Sequence, residues 1–295
     1  LRWQENRLPQ PTLEELTACM ADPDLRVISF DIFDTLLVRH VLQPQDVFHL
    51  TAGQVDTRYG IHFERMRAPA EAELGLTNPT LDQIYAHMAR RHGLSPETAA
   101  ALREAELRCE RTVLRARPAA RALYDTARRL GKRVIAVSDM YLPASFLRDI
   151  LRENGMEVDA LYVSCEQGAR KSDGSLYDRV AQQEGCAPDE MLHFGDNRRS
   201  DVEQALKRGV CALWLPSVQA LACPTPELWR ETFATAQDAE PRISPYLALA
   251  LNQSYGEQAG FSRNIARFAS LVEAGRLLLA PLLTAFAVRL ATDKE

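Results

Sequence analysis

Five short runs of β-branched and apolar residues constrain this chain more than any other feature. They are Arg26–Asp31 (RVISFD), Arg133–Ser138 (RVIAVS), Ala160–Ser164 (ALYVS), Met191–Phe194 (MLHF) and Val210–Leu215 (VCALWL). Each is bounded by glycine or polar turn residues, and each is nearly continuous in its apolar character. Strands covered on both faces look like this, whereas half-exposed strands alternate. Helix-length stretches separate the later runs. PASFLRDILREN opens with Pro143 in its first turn and stops at Gly155, SLYDRVAQQE stops at Gly185, and SDVEQALKR stops at Gly209. Strands alternating with helices imply an α/β fold, with a parallel sheet wound by right-handed crossovers.

The alternation breaks after the first run. Between Asp31 and Val134 no strand pattern stands out, and the segment reads as helices at Pro44–Tyr59, Phe63–Leu74, Thr80–Arg91, Ser95–Arg115 and Pro118–Leu130. Ser95-Pro96-Glu97 sets an N-cap, a first-turn proline and a dipole-matching acid in order. The last of these helices is expected to join the sheet layer, and the others to form an insertion. The expected division is therefore residues 1–40 and 118–223 as the α/β core, 41–117 as a helical insertion, and 224–295 as a helical C-terminal extension. The apolar run Leu277–Val288 is too short to cross a bilayer as a helix.

Composition excludes some functions. Lys and Arg number 35 against 40 Asp and Glu, a net charge of −5, which disfavours a nucleic-acid coat or an anionic-membrane binder. The six cysteines form no C-x-x-C pair, so free thiols in a reducing compartment are expected rather than a disulfide frame or zinc site. The polar start LRWQENRLPQ carries no targeting pattern. A cytoplasmic protein with no membrane span and no nucleic-acid partner is the expectation.

Four stretches fall at or just after strand C-termini, the edge of an open α/β sheet where ligands bind. They are SFDIFDTLL (Ser29–Leu37), AVSDMY (Ala136–Tyr141), ARKSDG (Ala169–Gly174) and FGDNRRSDV (Phe194–Val202). Together they offer the carboxylates of Asp31, Asp196 and Asp201, the hydroxyl of Ser138 and the ammonium of Lys171. Apposed carboxylates raise one another's pKa unless a cation lies between them. Oxygen ligands without clustered His or Cys favour Mg²⁺. A carboxylate beside Mg²⁺, a lysine and a hydroxyl suits a phosphoryl group and an aspartyl nucleophile.

Over residues 24–216, the order and spacing of these stretches resemble the haloacid dehalogenase (HAD) superfamily, mostly phosphatases and phosphotransferases. The resemblance implies a Rossmann-like core with its first strand central and a helical cap closing over the site. It implies Asp31 as nucleophile and Mg²⁺ ligand, the Phe33 backbone carbonyl as a further ligand, Ser138 as the phosphate-binding hydroxyl and Lys171 as the neutralising lysine. Asp196 would bind the metal, and Asp201 would support it. Asp139 and Arg198 are candidate substrate contacts. Asp201 also suits a helix N-terminus, and Arg198 and Arg199 fit a solvated loop as well as a substrate. More narrowly, SFDIFDTLLVR, VSDMYLP and FGDNRRSDV resemble HAD-like proteins of bacterial surface-polysaccharide and glycosyltransferase systems. In such proteins a stretch like GRLLLAPLLTAF leads to further domains, so a further domain or partner on the C-terminal helices is an expectation.

One position departs from the pattern. Phosphatases of the superfamily carry a general acid two residues after the nucleophile, and here that residue is Phe33. Asp34 follows one place later. Along an extended chain it faces the other side, so it needs a local backbone change to serve as the acid. Asp34-Thr35 also reads as turn chemistry. The expected function is a Mg²⁺-dependent phosphohydrolase of a small phosphorylated metabolite. The alternatives are a catalytically weak ligand-binding or scaffolding module in glycan assembly and, last, a metal-independent 2-haloacid dehalogenase.

Overall fold

The computed structural model describes residues 12–222, 244–252 and 283. Helix α1 (Leu13–Met20) opens with a capping box between Thr12 and Glu15 and leads into β1 (Val27–Phe30). A short strand β2 (Leu37–Arg39) then runs out to four helices, α2 (Asp46–Tyr59), α3 (Phe63–Leu74), α4 (Leu81–His92) and α5 (Pro96–Val113), and β3 (Leu114–Ala116) returns. The chain continues through α6 (Pro118–Arg129), β4 (Arg133–Ser138), α7 (Ala144–Glu153), β5 (Ala160–Val163), α8 (Ser164–Gln167) and α9 (Ser175–Glu184). It then forms β6 (Met191–Gly195), a π-helical turn (Arg198–Glu203), α10 (Gln204–Lys207), β7 (Cys211–Trp214) and α11 (Val218–Ala222). A further helix spans Ser244–Leu251. Apart from position 283, the apolar run at 277–288 lies outside the described residues. Among the described residues no helix is long and apolar enough to cross a membrane.

The five apolar runs are the five strands of one parallel sheet, in the order β5-β4-β1-β6-β7. The sheet therefore has the first strand at its centre. Alternate side chains enter two cores. Ile28, Phe30, Ala136, Leu192 and Phe194 face one layer with Leu123 and Leu147, while Val27, Ile135, Val137 and Met191 face the other with Leu176 and Val180. Full burial of such a side chain stabilises by about 1.5–3 kcal/mol, which is why both faces must be covered. Helix α6 packs on α1 and β4, in the sheet layer as expected.

Two expectations need correction. The segment between Asp31 and Val134 does contain strands. β2 and β3 pair antiparallel, Leu37 opposite Ala116 and Arg39 opposite Leu114, as a stem below the four-helix insertion. Three-residue strands leave no periodicity to read, and their partners lie far apart in sequence. The helix expected over SDVEQALKR also opens as a π-turn and becomes α-helical only at Gln204.

The insertion bends back over the sheet edge. Leu81 N donates to Tyr141 O at 2.9 Å, Arg170 Nη1 to Thr77 O at 3.1 Å, and Asn78 Nδ2 to Ala169 O at 3.4 Å. Two bidentate ion pairs stiffen it. Arg67 grips Glu106 through Nε and Nη2 at 2.7 and 3.0 Å, and Arg39 grips Glu110 through Nε and Nη2 at 3.1 and 3.2 Å. All four side chains are buried, so the bidentate geometry is what offsets their desolvation.

Candidate active site

The four stretches converge at the C-terminal edge of the sheet. Asp31 directly follows β1, and its N–H donates to Phe194 O at 2.8 Å, which fixes it beside the end of β6. Gly195 closes β6. A Cβ there would lie 2.4 Å from the Asp201 carboxylate carbon, so only glycine lets Asp201 fold back onto the strand end. Asn197 then caps the turn, its Oδ1 accepting from Arg199 N and Ser200 N at 3.1 Å each, and its N–H donates to Asp201 Oδ2 at 2.9 Å. The π-turn carries one more residue per turn than an α-helix, a form common at functional sites, and here it aims Asp201 inward.

Lys171 joins the two halves. Its Nζ lies 2.5 Å from Asp31 Oδ1 and 2.7 Å from Asp201 Oδ1, with the lysine only 3% exposed. Asp139 lies at the end of β4 beside the lysine loop. Its two oxygens accept from Lys171 N at 2.8 Å and Ser172 N at 3.2 Å, so it fixes the lysine loop to the end of β4. Ser138 is buried as the last residue of β4. Arg198 is exposed and stacks on the Trp214 ring at 3.6 Å. Arg199 is exposed as well.

Phe33 and Asp34 part company. The Phe33 ring packs against the core, with the Arg39 guanidinium 4.1 Å from its centroid. Asp34 adopts φ 58°, the left-handed region, and is the one non-glycine residue to do so among those described. The backbone therefore leaves the extended form at Asp34. Its carboxyl is pushed up by burial, against the pull of Arg39 and Arg117.

Three residues here escaped notice in the sequence. Arg117 is fully buried, donates from Nη1 to Asp34 O at 3.1 Å and from Nη2 to Pro216 O at 2.7 Å, and faces Asp34 and Asp196 electrostatically. Trp214 Nε1 donates to Asp196 O at 2.6 Å. His193 is buried beneath Asp201, with Nδ1 2.7 Å from Ser29 Oγ, and burial holds it below its usual pKa. Only its place in an otherwise apolar strand could have marked His193. Arg117 reads as an ordinary basic residue before a helix.

Asp31, Asp196 and Asp201 each offer an oxygen within 4.8 Å of the others. Burial is the largest cause raising Asp31, to about 7, with Lys171 opposing and Asp201 adding to the rise. Asp196 is raised well above the carboxylate range by burial and then by Asp34, Asp31 and Asp201. Asp201 is held low: burial, the largest single cause, raises it, but Lys171 and His193 together outweigh that rise. Four ionised carboxylates (Asp31, Asp34, Asp196, Asp201) against the buried cations Lys171 and Arg117 would leave two negative charges, the complement of one divalent cation. A hard, oxygen-only donor set of this size fits Mg²⁺.

Two outcomes follow from this balance. Between the ordinary Asp value of 3.8 and about 7, native Asp31 keeps a proton that the unfolded chain has lost. Its contribution to stability therefore falls as pH rises through that window. Mg²⁺ held by Asp31 would displace the same proton and restore the loss. The melting-temperature gain from Mg²⁺ should thus be larger near pH 8 than near pH 5 by differential scanning calorimetry, and equal gains would contradict this balance. Second, Trp214→Phe keeps the ring under Arg198 but removes the bond to Asp196 O. Mg²⁺ affinity by titration calorimetry should fall about tenfold, and unchanged affinity would show that bond to be idle.

Residues 25–207, well over half the chain, match the family described as haloacid dehalogenase-like hydrolase. No curated protein matches the chain. Similar solved structures include the HAD hydrolase YfnB from Bacillus subtilis bound to magnesium, with 16% identity, 65% of this chain and 88% of that chain covered, and a TM-score of 0.45. An L-2-haloacid dehalogenase shares 20% identity over 65% of this chain and 85% of its own, with a TM-score of 0.47. CbbY from Rhodobacter sphaeroides in complex with phosphate shares 15% identity over 65% of this chain and 87% of its own, with a TM-score of 0.44. By the family match, the chain belongs to the haloacid dehalogenase-like hydrolases.

Proposed function

We propose that this hydrolase is a Mg²⁺-dependent phosphohydrolase of a small phosphorylated metabolite, working through an aspartyl-phosphate. The observation that carries the reading is Lys171 held between Asp31 and Asp201, at 2.5 and 2.7 Å, beside Asp196. Asp31 attacks phosphorus in line, the bond to the leaving oxygen breaks, and the phosphoryl group rests on Asp31. Water then attacks phosphorus, the bond to Asp31 breaks, and inorganic phosphate leaves. Ser138 and Lys171 hold the phosphoryl oxygens, and Asp139 acts only through the lysine loop it fixes. Asp34 gives the proton to the leaving oxygen and takes one from water. Bound to Asp31, Asp196 and the Phe33 carbonyl, with Asp201 in support, Mg²⁺ would neutralise charge on the phosphoryl group.

Phe33 in the usual acid position favours a second reading, a module that binds a phosphorylated ligand without turning it over. Resemblance in sequence alone supports a setting in surface-polysaccharide assembly, and the absence of paired cysteine motifs supports a cytoplasmic one. A panel of alkyl and aryl phosphate esters, assayed with Mg²⁺ and with EDTA, separates these readings. Turnover that needs Mg²⁺ is expected, with none on 2-chloropropionate. Phosphate and Mg²⁺ bound without turnover of any ester would favour the binding module.

A further inference from the structure

Helix Ser244–Leu251 docks on the linker that leaves the Asp31 loop. At one end Ser244 Oγ accepts from Leu42 N at 2.8 Å and donates to Asp46 Oδ2 at 2.6 Å. Just past the other end, Asn252 Nδ2 donates to Arg39 O at 3.1 Å. These bonds join residues 198 to 213 positions apart, and both Ser244 and Asn252 are buried. The helix also packs on α11.

Helix, linker and α11 border a half-open cavity of about 60 Å³. At about 30 Å³ for each water, that volume seats about two water molecules, or the hydroxyl-bearing end of a small polyol whose remainder passes through the open side. Asp34 and Arg39 line it on one side, Gln219 and Asn252 on the other, over the apolar side chains of Leu42 and Leu251. Asp34 thus belongs to both places, for it lines this cavity and stands beside Asp196.

The lining suits hydroxyl groups. A carboxylate accepts, a guanidinium donates, and two amides do both, while the aliphatic side chains cover C–H faces. It does not suit a second phosphate. Among the described lining residues the one cation is Arg39, and Glu110 already grips it.

We propose that this cavity is the leaving-group subsite and that it takes a small polyol, so that the segment beyond the sheet selects the substrate together with the insertion. The proposal rests on the phosphohydrolase reading. It makes hydroxyls on the leaving group, rather than its carbon skeleton, the source of affinity.

Two phosphonates that cannot be hydrolysed test it on the wild-type full chain with Mg²⁺. 3,4-Dihydroxybutylphosphonate and butylphosphonate share one skeleton and differ by two hydroxyls. Titration calorimetry should show the diol binding at least tenfold more tightly. Ala248→Phe, which puts a ring into the cavity, should bring the two within about twofold and leave inorganic phosphate within twofold of wild type. Gln219→Leu, at the exposed mouth, should weaken the diol about threefold to tenfold even if the larger change misfolds. Phosphate binding with no preference for the diol, or a preference that both variants leave intact, would overturn the subsite alone. No binding of inorganic phosphate would overturn the phosphohydrolase reading and the subsite with it.

Discussion

Asp31→Asn is expected to abolish turnover, by on the order of 10⁵-fold or more, while leaving the protein folded. An amide cannot attack phosphorus and is a poorer ligand for a hard cation. The fold should hold because Lys171 keeps its second partner, Asp201, at 2.7 Å. The charge removed is one that burial already disfavours, since Asp31 sits at about 7. In metal-free buffer above pH 7 the variant should therefore melt at the wild-type temperature or slightly higher. Because it lacks that titration, its melting temperature should also change less between pH 4 and 7. Turnover near the wild-type rate would move the nucleophile elsewhere. A large fall in melting temperature would show that the Asp31–Lys171 pair holds the fold as well as the substrate.

The second large effect falls on Asp34. Removing a general acid costs roughly 10²–10⁴-fold, and the cost depends on the leaving group. An alkyl alkoxide needs its proton as the bond breaks, whereas a phenolate leaves unaided. Asp34→Asn should therefore slow alkyl phosphate esters by that factor and aryl esters far less. The variant is structurally mild, because Asn tolerates the left-handed φ of 58° that Asp34 adopts. Adding Phe33→Asp should restore part of the alkyl activity, since it puts a carboxyl at the usual position. Equal losses on both ester classes would mean that Asp34 holds structure rather than donating a proton. No loss on either would give the acid role to another residue.

Much of this site is legible in the sequence because strand ends do the positioning. The five apolar runs predict the sheet, the sheet places Asp31, Ser138 and Asp196 along one edge, and Lys171 and Asp201 follow in the loops at that edge. Asp34 is legible as an acid facing the other side of an extended chain, and the structure turns its backbone into the left-handed region. What stays hidden depends on contacts between residues distant in sequence. The stem pairs Leu37 with Ala116, and three-residue strands carry no pattern. Arg117 gains its meaning only from holding Asp34 O and Pro216 O, one before it and one far after. The role of Trp214 rests on one bond to a carbonyl, and nothing in SPYLALAL announces that the helix reaches back to Arg39 and Asp46.

The most direct measurement of the central claim is a crystal structure of the protein grown with Mg²⁺ and beryllium fluoride, which mimics a phosphoryl group on a carboxylate. The account predicts trifluoroberyllate on Asp31, contacted by Ser138 and Lys171. It also predicts one divalent cation held by Asp31, Asp196 and the Phe33 carbonyl. Fluoroberyllate absent from Asp31, with no cation bound and the three acids turned apart, would contradict it.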